Sequence, residues 1–352
     1  MTATQTFLCG VVEGFYGRTW PHSLRLDYAG YLADAGLNAC LYCPKGDPYL
    51  RRQWQSEWPA AEREQMAELA TRYAARGVAW GVGLSPFELY RDYGPRQRRA
   101  LLARVDSLVG LGAPLLAILF DDMPGDVADL AARQAQIVAD VCARAGDARV
   151  LVCPTYYSFD PQLERYFGAM PAAYWEQLGQ WLPAAVDIFW TGNEVCSRRI
   201  EAADIRCING RLGRPVLLWD NYPVNDGAER SRYLYTRPLD GRDPALAALL
   251  RGHLCNPMNQ GLLSLPALAG LAALHGRRGF CAGDLQRILG APVWQRLQRD
   301  GALFQDAGLD GMGRERCAQL AAEYAALPGA AAAEIAAWLR GEYRFDPACL
   351  TD

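Results

Sequence analysis

The 352-residue chain is 51% apolar and sets 36 basic side chains against 39 acidic ones, for a net charge of −3 and an isoelectric point near 5.8. That length suits one large α/β barrel with an appendage, or two ordinary domains, and the composition excludes a disordered or collagen-like chain. The weakly acidic balance argues against a protein that holds a nucleic-acid backbone. One detail stands apart: Lys45 is the only lysine, and every other basic residue is an arginine.

No export signal is expected, because Met1–Thr6 lacks positive charge and Phe7–Val12 is short and interrupted by glycine. No run of apolar residues is long enough to predict a membrane span. The eleven cysteines are scattered, and several, such as Cys9, Cys153 and Cys255, sit in apolar runs. Reduced thiols in a cytoplasm fit that pattern better than a disulfide framework. The three histidines, His22, His253 and His275, have no ligand spacing, so no metal and no cofactor are expected.

Short β-rich runs alternate with Ala/Leu/Arg stretches of helical period. The spacing predicts strands over Phe7–Gly14, Ala39–Pro44, Val78–Pro86 and Leu115–Asp122. Helices are predicted over His22–Ala35, Pro59–Arg76, Arg96–Leu111 and Val127–Ala145. Further strands follow at Arg149–Tyr157, Val186–Gly192 and Pro215–Asn221, with an eighth within Gly252–Ser264. Helices near Pro171–Leu182, Ser197–Leu212 and Leu265–His275 complete the alternation. Eight such units predict a (β/α)8 TIM barrel over residues 1–278; a doubly wound sheet would often carry a Gly-rich phosphate turn after its first strand, and none is present. Residues 279–352 form a C-terminal helical region, with helices over Asp284–Leu297, Arg314–Leu327 and Gly329–Arg340. This appendage reads as a structural cap without catalytic residues.

In a barrel the chemistry sits at the C-terminal strand ends. There the chain places Glu13-Gly14-Phe15-Tyr16, Lys45-Gly46-Asp47, Asp121-Asp122, Tyr156-Tyr157, Trp190-Thr191, Trp219-Asp220-Asn221 and Asn256. Polar and aromatic groups at every rim position suit a ligand with many hydroxyls. Asp121-Asp122 is the sharpest feature, because two close carboxylates can leave one acid beside one anion near neutral pH, as glycoside cleavage requires. Two other readings of the pair remain open at this point, a helix N-cap and a metal site completed by Asp126. Trp190 and Trp219 can serve either the core or a sugar-stacking face, and Tyr156 and Tyr157 are candidates to face the pocket. Asn221, Asp226 and Asn256 read equally as turn formers.

Seven stretches together resemble glycoside hydrolase family 84, the β-N-acetylglucosaminidases that include O-GlcNAcases and bacterial enzymes once labelled hyaluronidases. They are Gly10–Trp20, Leu37–Trp54, Leu119–Asp126, Cys153–Tyr157, Asp187–Gly192, Trp219–Asp226 and Cys255–Met258. The resemblance implies a retaining exo-β-N-acetylglucosaminidase in which the 2-acetamido oxygen of the substrate is the nucleophile and an oxazoline is the intermediate. It implies that Asp121 orients the acetamido N–H and that Asp122 is general acid, then general base. It places Tyr157, Trp219 and Asn221 at the acetamide, and Gly14 (through its carbonyl), Lys45, Asp226 and Asn256 at the sugar hydroxyls. The partner implied is a β-GlcNAc-containing glycoside or glycoprotein, with no nucleic acid or membrane. Gly46 and Asn193 depart from the family pattern, which leaves the leaving group open. A non-catalytic GlcNAc-binding protein, a hyaluronidase-like glycosidase and a metal-dependent hydrolase are the alternatives.

Overall fold

A computed structural model describes residues 6–351; residues 1–5 and 352, the outer ends of the two expected regions, lie outside the described residues. Eight parallel strands close into a barrel, each paired with its neighbours in chain order and the last with the first. They are β1 (Leu8–Glu13), β2 (Ala39–Tyr42), β3 (Ala79–Leu84), β4 (Leu115–Leu119), β5 (Arg149–Cys153), β6 (Asp187–Trp190), β7 (Leu217–Asp220) and β8 (Gly252–Cys255). Nearly every strand residue is buried, because the strands are covered by helices outside and by their own side chains inside.

The helices between strands are α1 (His22–Ala35), α2 (Ala60–Ala74), α3 (Pro95–Val109), α4 (Leu130–Cys142), α5 (Gln162–Phe167), α6 (Tyr174–Trp181) and α7 (Ala202–Leu212), with α8 (Leu265–Leu274) after β8. Local chemistry sets their ends. Helix α1 stops at Gly36, whose φ of 74° lets its N–H cap the last turn, and α7 begins with a reciprocal capping box between Glu201 and Asp204.

The sequence-based strands run too long at their C-terminal ends. Leu115–Asp122 ends as a strand at Leu119, so Asp121 and Asp122 lie in the turn that follows. Asp122 adopts a left-handed φ of 55°, which swings it off the two-residue alternation of the strand. Helix α4 starts only at Leu130 behind Asp129, so the aspartate pair does not cap it. Asp126 turns to the exposed Arg91 at 2.5 Å and does not join the pair.

Four helices follow the barrel: α9 (Ala282–Leu289), α10 (Ala291–Asp306), α11 (Gly308–Ala325) and α12 (Ala330–Leu339). The expected single helix over Asp284–Leu297 is two, broken where Gly290 takes a φ of 88° before Pro292, and the second runs on to Asp306. Arg237 reaches Asp306, and Trp338 donates to the Ser231 carbonyl at 3.1 Å, so the helices clamp the long loop after β7. Glu334 of α12 accepts from the backbone N–H groups of Leu262 and Leu263 after β8. Burial pushes its carboxyl up to about 8.

Buried ion pairs lock the barrel ends. Arg25 of α1 grips Glu13 of β1 through two nitrogens, and Arg242 grips Asp220 of β7 in the same way. Asp220 also receives His253 of β8 at 2.9 Å, and His253 reaches His275 with its other nitrogen. At the opposite end Asp187 holds both Arg149 and Arg251. Among the described residues no cysteine forms a disulfide; Cys40 and Cys43 lie buried on and just past β2, where burial raises both thiols.

Candidate active site

Nine residues singled out from sequence line one pocket at the C-terminal mouth of the barrel: Gly14, Lys45, Asp121, Asp122, Tyr157, Trp219, Asn221, Asp226 and Asn256. They come from the ends of six strands and one loop, so no local segment could build the pocket.

Asp121 is the most buried acid of the group. Lys45, itself buried, pairs with its Oδ2 oxygen. Burial pulls the Lys45 ammonium down, but the Asp121 and Asp122 carboxylates offset that and leave it above its ordinary value. The other oxygen of Asp121, Oδ1, is buried without a hydrogen-bond partner. A buried carboxylate oxygen in that condition is costly unless a ligand donates to it. Asp122 is half-buried and differently held. Its Oδ2 accepts from the Tyr16 phenol at 2.8 Å and its Oδ1 from the Tyr157 phenol at 3.1 Å. Its backbone carbonyl is fixed by Arg51 at 2.8 Å. Burial and the Asp122 charge push both phenols well above the ordinary tyrosine range, so they remain donors.

One wall is a set of side chains locked by each other. The Asn221 side-chain oxygen accepts from the Trp219 indole at 2.9 Å and from the Asn256 amide at 3.0 Å. Asn256 in turn accepts from the Gly14 N–H at 3.2 Å, and Asn221 donates to the Val195 carbonyl at 2.8 Å. These partners assign both amides, so their turn-former readings give way to a supporting network. Gly14 is needed for space: a Cβ there would lie 2.2 Å from the Trp219 ring. Asp226 accepts from the Tyr16 N–H at 2.7 Å, and burial raises its carboxyl to about 6 despite that bond. Tyr16 thus touches both Asp122 and Asp226.

Two aromatic candidates are absent from the pocket. Trp190 packs against Phe159 at 4.8 Å and Trp175 at 5.5 Å in the layer outside the barrel. Tyr156 turns outward to the Gly168 carbonyl at 2.7 Å. Both are one position from a pocket residue, and strand alternation sends neighbours to opposite sides. Sequence reasoning placed Tyr16 at the rim without a role and missed Arg51, although both lie inside the quoted stretches; nothing local marks a tyrosine or arginine as touching an acid more than 70 residues away. It also missed Cys349 and Thr351, which line the pocket although the C-terminal region read as a structural cap without catalytic residues.

A family model described as beta-N-acetylglucosaminidase matches residues 9–278. The chain belongs to the β-N-acetylglucosaminidase family. It is 29% identical over 260 residues to the Protein O-GlcNAcase of Rattus norvegicus and, equally, to that of Mus musculus. Each match covers 71% of this chain and 28% of the relative, so the chain spans little more than a quarter of their length. Its fold matches a solved mutant of the Thermobaculum terrenum O-GlcNAc hydrolase with a TM-score of 0.76 and 26% identity, over 96% of this chain and 81% of that one. The family-model match ends at Arg278, before α9 begins. No helix among the described residues is long and apolar enough to cross a membrane.

Proposed function

We propose that the chain is a retaining exo-β-N-acetylglucosaminidase that removes terminal β-linked N-acetylglucosamine, including O-linked sugar on proteins, by substrate-assisted catalysis. The observation that carries this reading is Asp121: it lines the pocket beside Asp122 with one oxygen held by a buried lysine and the other buried without a partner. An acetamido N–H is the donor such an oxygen suits. The names of the relatives, O-GlcNAcase and O-GlcNAc hydrolase, support the same sugar.

In the first step Asp121 draws on the acetamido N–H, which sharpens the nucleophilicity of the acetamido oxygen. That oxygen bonds to the anomeric carbon as the glycosidic C–O bond breaks, and Asp122 delivers its proton to the departing oxygen. The oxazoline forms as Asp121 accepts the N–H proton. In the second step Asp122 takes a proton from water, the water oxygen bonds to the anomeric carbon, and the oxazoline opens with its nitrogen reprotonated from Asp121. Two displacements at one carbon retain the configuration. Holding the acetamide in line replaces a bimolecular encounter, an effect that reaches up to ~7–11 kcal/mol in ideal cases. Tyr157, Trp219 and Asn221 supply the acetamide wall; Gly14, Lys45, Asp226 and Asn256 serve the sugar hydroxyls, with Lys45 doing so from its pairing with Asp121. The burial of Cys9, Cys40, Cys43, Cys153, Cys255 and Cys317 as thiols supports a cytoplasmic setting, with a GlcNAc-bearing protein or glycoside as partner.

Purified protein incubated with an aryl N-acetyl-β-glucosaminide is expected to release the phenol. Folded protein that binds an oxazoline mimic without turnover at any pH from about 5 to 8 would instead be a sugar-binding protein.

A further inference from the structure

Past α12 the chain doubles back over the barrel mouth without forming a helix or strand. Tyr343 lies under the Arg18 guanidinium, 5.0 Å from it, and the Arg344 carbonyl passes close beside Gly17. Asp346 then turns the chain by accepting from the Ala348 N–H with its side chain and from the Cys349 N–H with its carbonyl, both at 2.9 Å. From there the residues alternate as an extended segment does. Ala348 and Leu350 line an outer groove with Tyr16, Arg51 and Phe87. Cys349 and Thr351 point inward and line the catalytic pocket with Asp121, Asp122 and Tyr157. Thr351 lies in the same pocket as the Tyr157 phenol, the group that addresses Asp122.

Cys349 and Thr351 therefore stand among the residues assigned to the sugar and its acetamido arm. A pyranose seated against Asp121, Asp122 and Tyr157 competes with them for that space. The hold on the segment is light, since Phe345 and Leu350 remain more than two-fifths exposed.

Resting on the activity proposed above, we propose that residues 345–351 are an intramolecular strap that fills the sugar pocket, so that substrate enters only when the strap has swung out. The strap competes with sugar for the same space. It therefore lowers apparent affinity by the fraction of molecules that are open, and leaves the chemical step of the open form untouched.

The test compares the full chain with Thr351→Asp, which sets a carboxylate against Asp121 and Asp122, and with a chain ending at Arg344. Both are expected to lower KM for an aryl N-acetyl-β-glucosaminide about three-fold or more with kcat unchanged. A synthetic peptide of residues 345–351, added to the shortened chain, is expected to restore the higher KM competitively. Equal KM in all three proteins overturns the strap while leaving the proposed activity standing. Should no form turn over substrate, the activity fails separately, and alkylation of Cys349, followed by mass spectrometry, decides the strap. Faster labelling in Thr351→Asp, against the slowing a neighbouring carboxylate causes, supports it, and equal labelling overturns it.

Discussion

Two aspartates at the barrel mouth, Asp121 and Asp220, are both buried and both paired with a cation, yet their surroundings differ in kind. Asp220 is saturated: Arg242 contacts both oxygens, and His253 adds to one of them. Burial alone would raise its carboxyl, but Arg242 and His253 hold it far below the ordinary range. Asp121 has a single cation on a single oxygen and leaves the other buried and unmet. Saturation is what a structural carboxylate needs, because any unmet oxygen costs stability. An unmet oxygen in a pocket is the mark of one whose remaining partner arrives with the ligand.

Four substitutions sharpen or break that contrast. The largest effect is expected at Asp122, the neighbour that completes the reactive pair. Asp122→Asn should lower kcat ~10²–10⁴-fold on a poor leaving group and far less on an activated aryl one, because only the poor one needs the proton. Equal losses on both would remove the acid role. Asp121→Asn comes next, with a loss of ~10²–10³ in kcat on every leaving group and a smaller loss of stability than Asp220→Asn, because the Asp122 carboxylate still faces the Lys45 ammonium. A variant that unfolds while the surviving fraction keeps full kcat would make Asp121 structural, like Asp220.

Asp220→Asn should do the reverse. Leaving Arg242 and His253 without their anion is expected to cost ~3–5 kcal/mol in denaturant unfolding, with kcat of the folded enzyme within a few-fold of normal. The smallest effect concerns Asp226, whose carboxyl stands near pH 6. In its proposed role as an acceptor for sugar hydroxyls it serves best when ionised, so kcat/KM should fall as pH drops through about 6. That limb is expected to disappear from the profile of Asp226→Asn, measured on the same substrate.

Stability carries a separate pH signature through Glu334. Its carboxyl is near 8 when folded, above the ordinary 4.5, so folding takes up a proton between those values. Any contribution to stability is therefore fully present at low pH and lost as pH rises toward 8 and beyond. The melting temperature should decline between about pH 5 and 9, and Glu334→Gln should make that decline shallower.

Much of the barrel was readable because its signals are local: apolar runs of strand length, helices of period 3.6, and Gly or Pro between them. Helix α1 matches its predicted limits residue for residue, while predicted strands overran because apolar residues continue past the last paired strand residue, as Phe120 does past Leu119. The nine pocket residues were readable for another reason. Eight of them lie at or just past the end of an apolar run, and in a parallel barrel all such ends meet on one face. Asp226 instead sits in the loop after β7, within the Trp219–Asp226 stretch that resembles the family.

What stayed hidden is whatever depends on direction or on distant contact. The sequence alone singles out Lys45 as the only lysine in an arginine-rich chain, and its stretch resembles that of a sugar-binding family. Only the folded chain sets that ammonium against Asp121, where a slender amine fits in full burial and the broader guanidinium fork would need more room. In the same way the sequence supplies two carboxylates, two phenols and a Cys-Leu-Thr run at 349–351, but not their meeting. A left-handed turn at Asp122, one-residue alternation at Tyr156 and Tyr157, and the path of residues 345–351 back over the mouth decide it. Local periodicity determines where strands begin and end, whereas closure of the barrel determines which of their ends face one another.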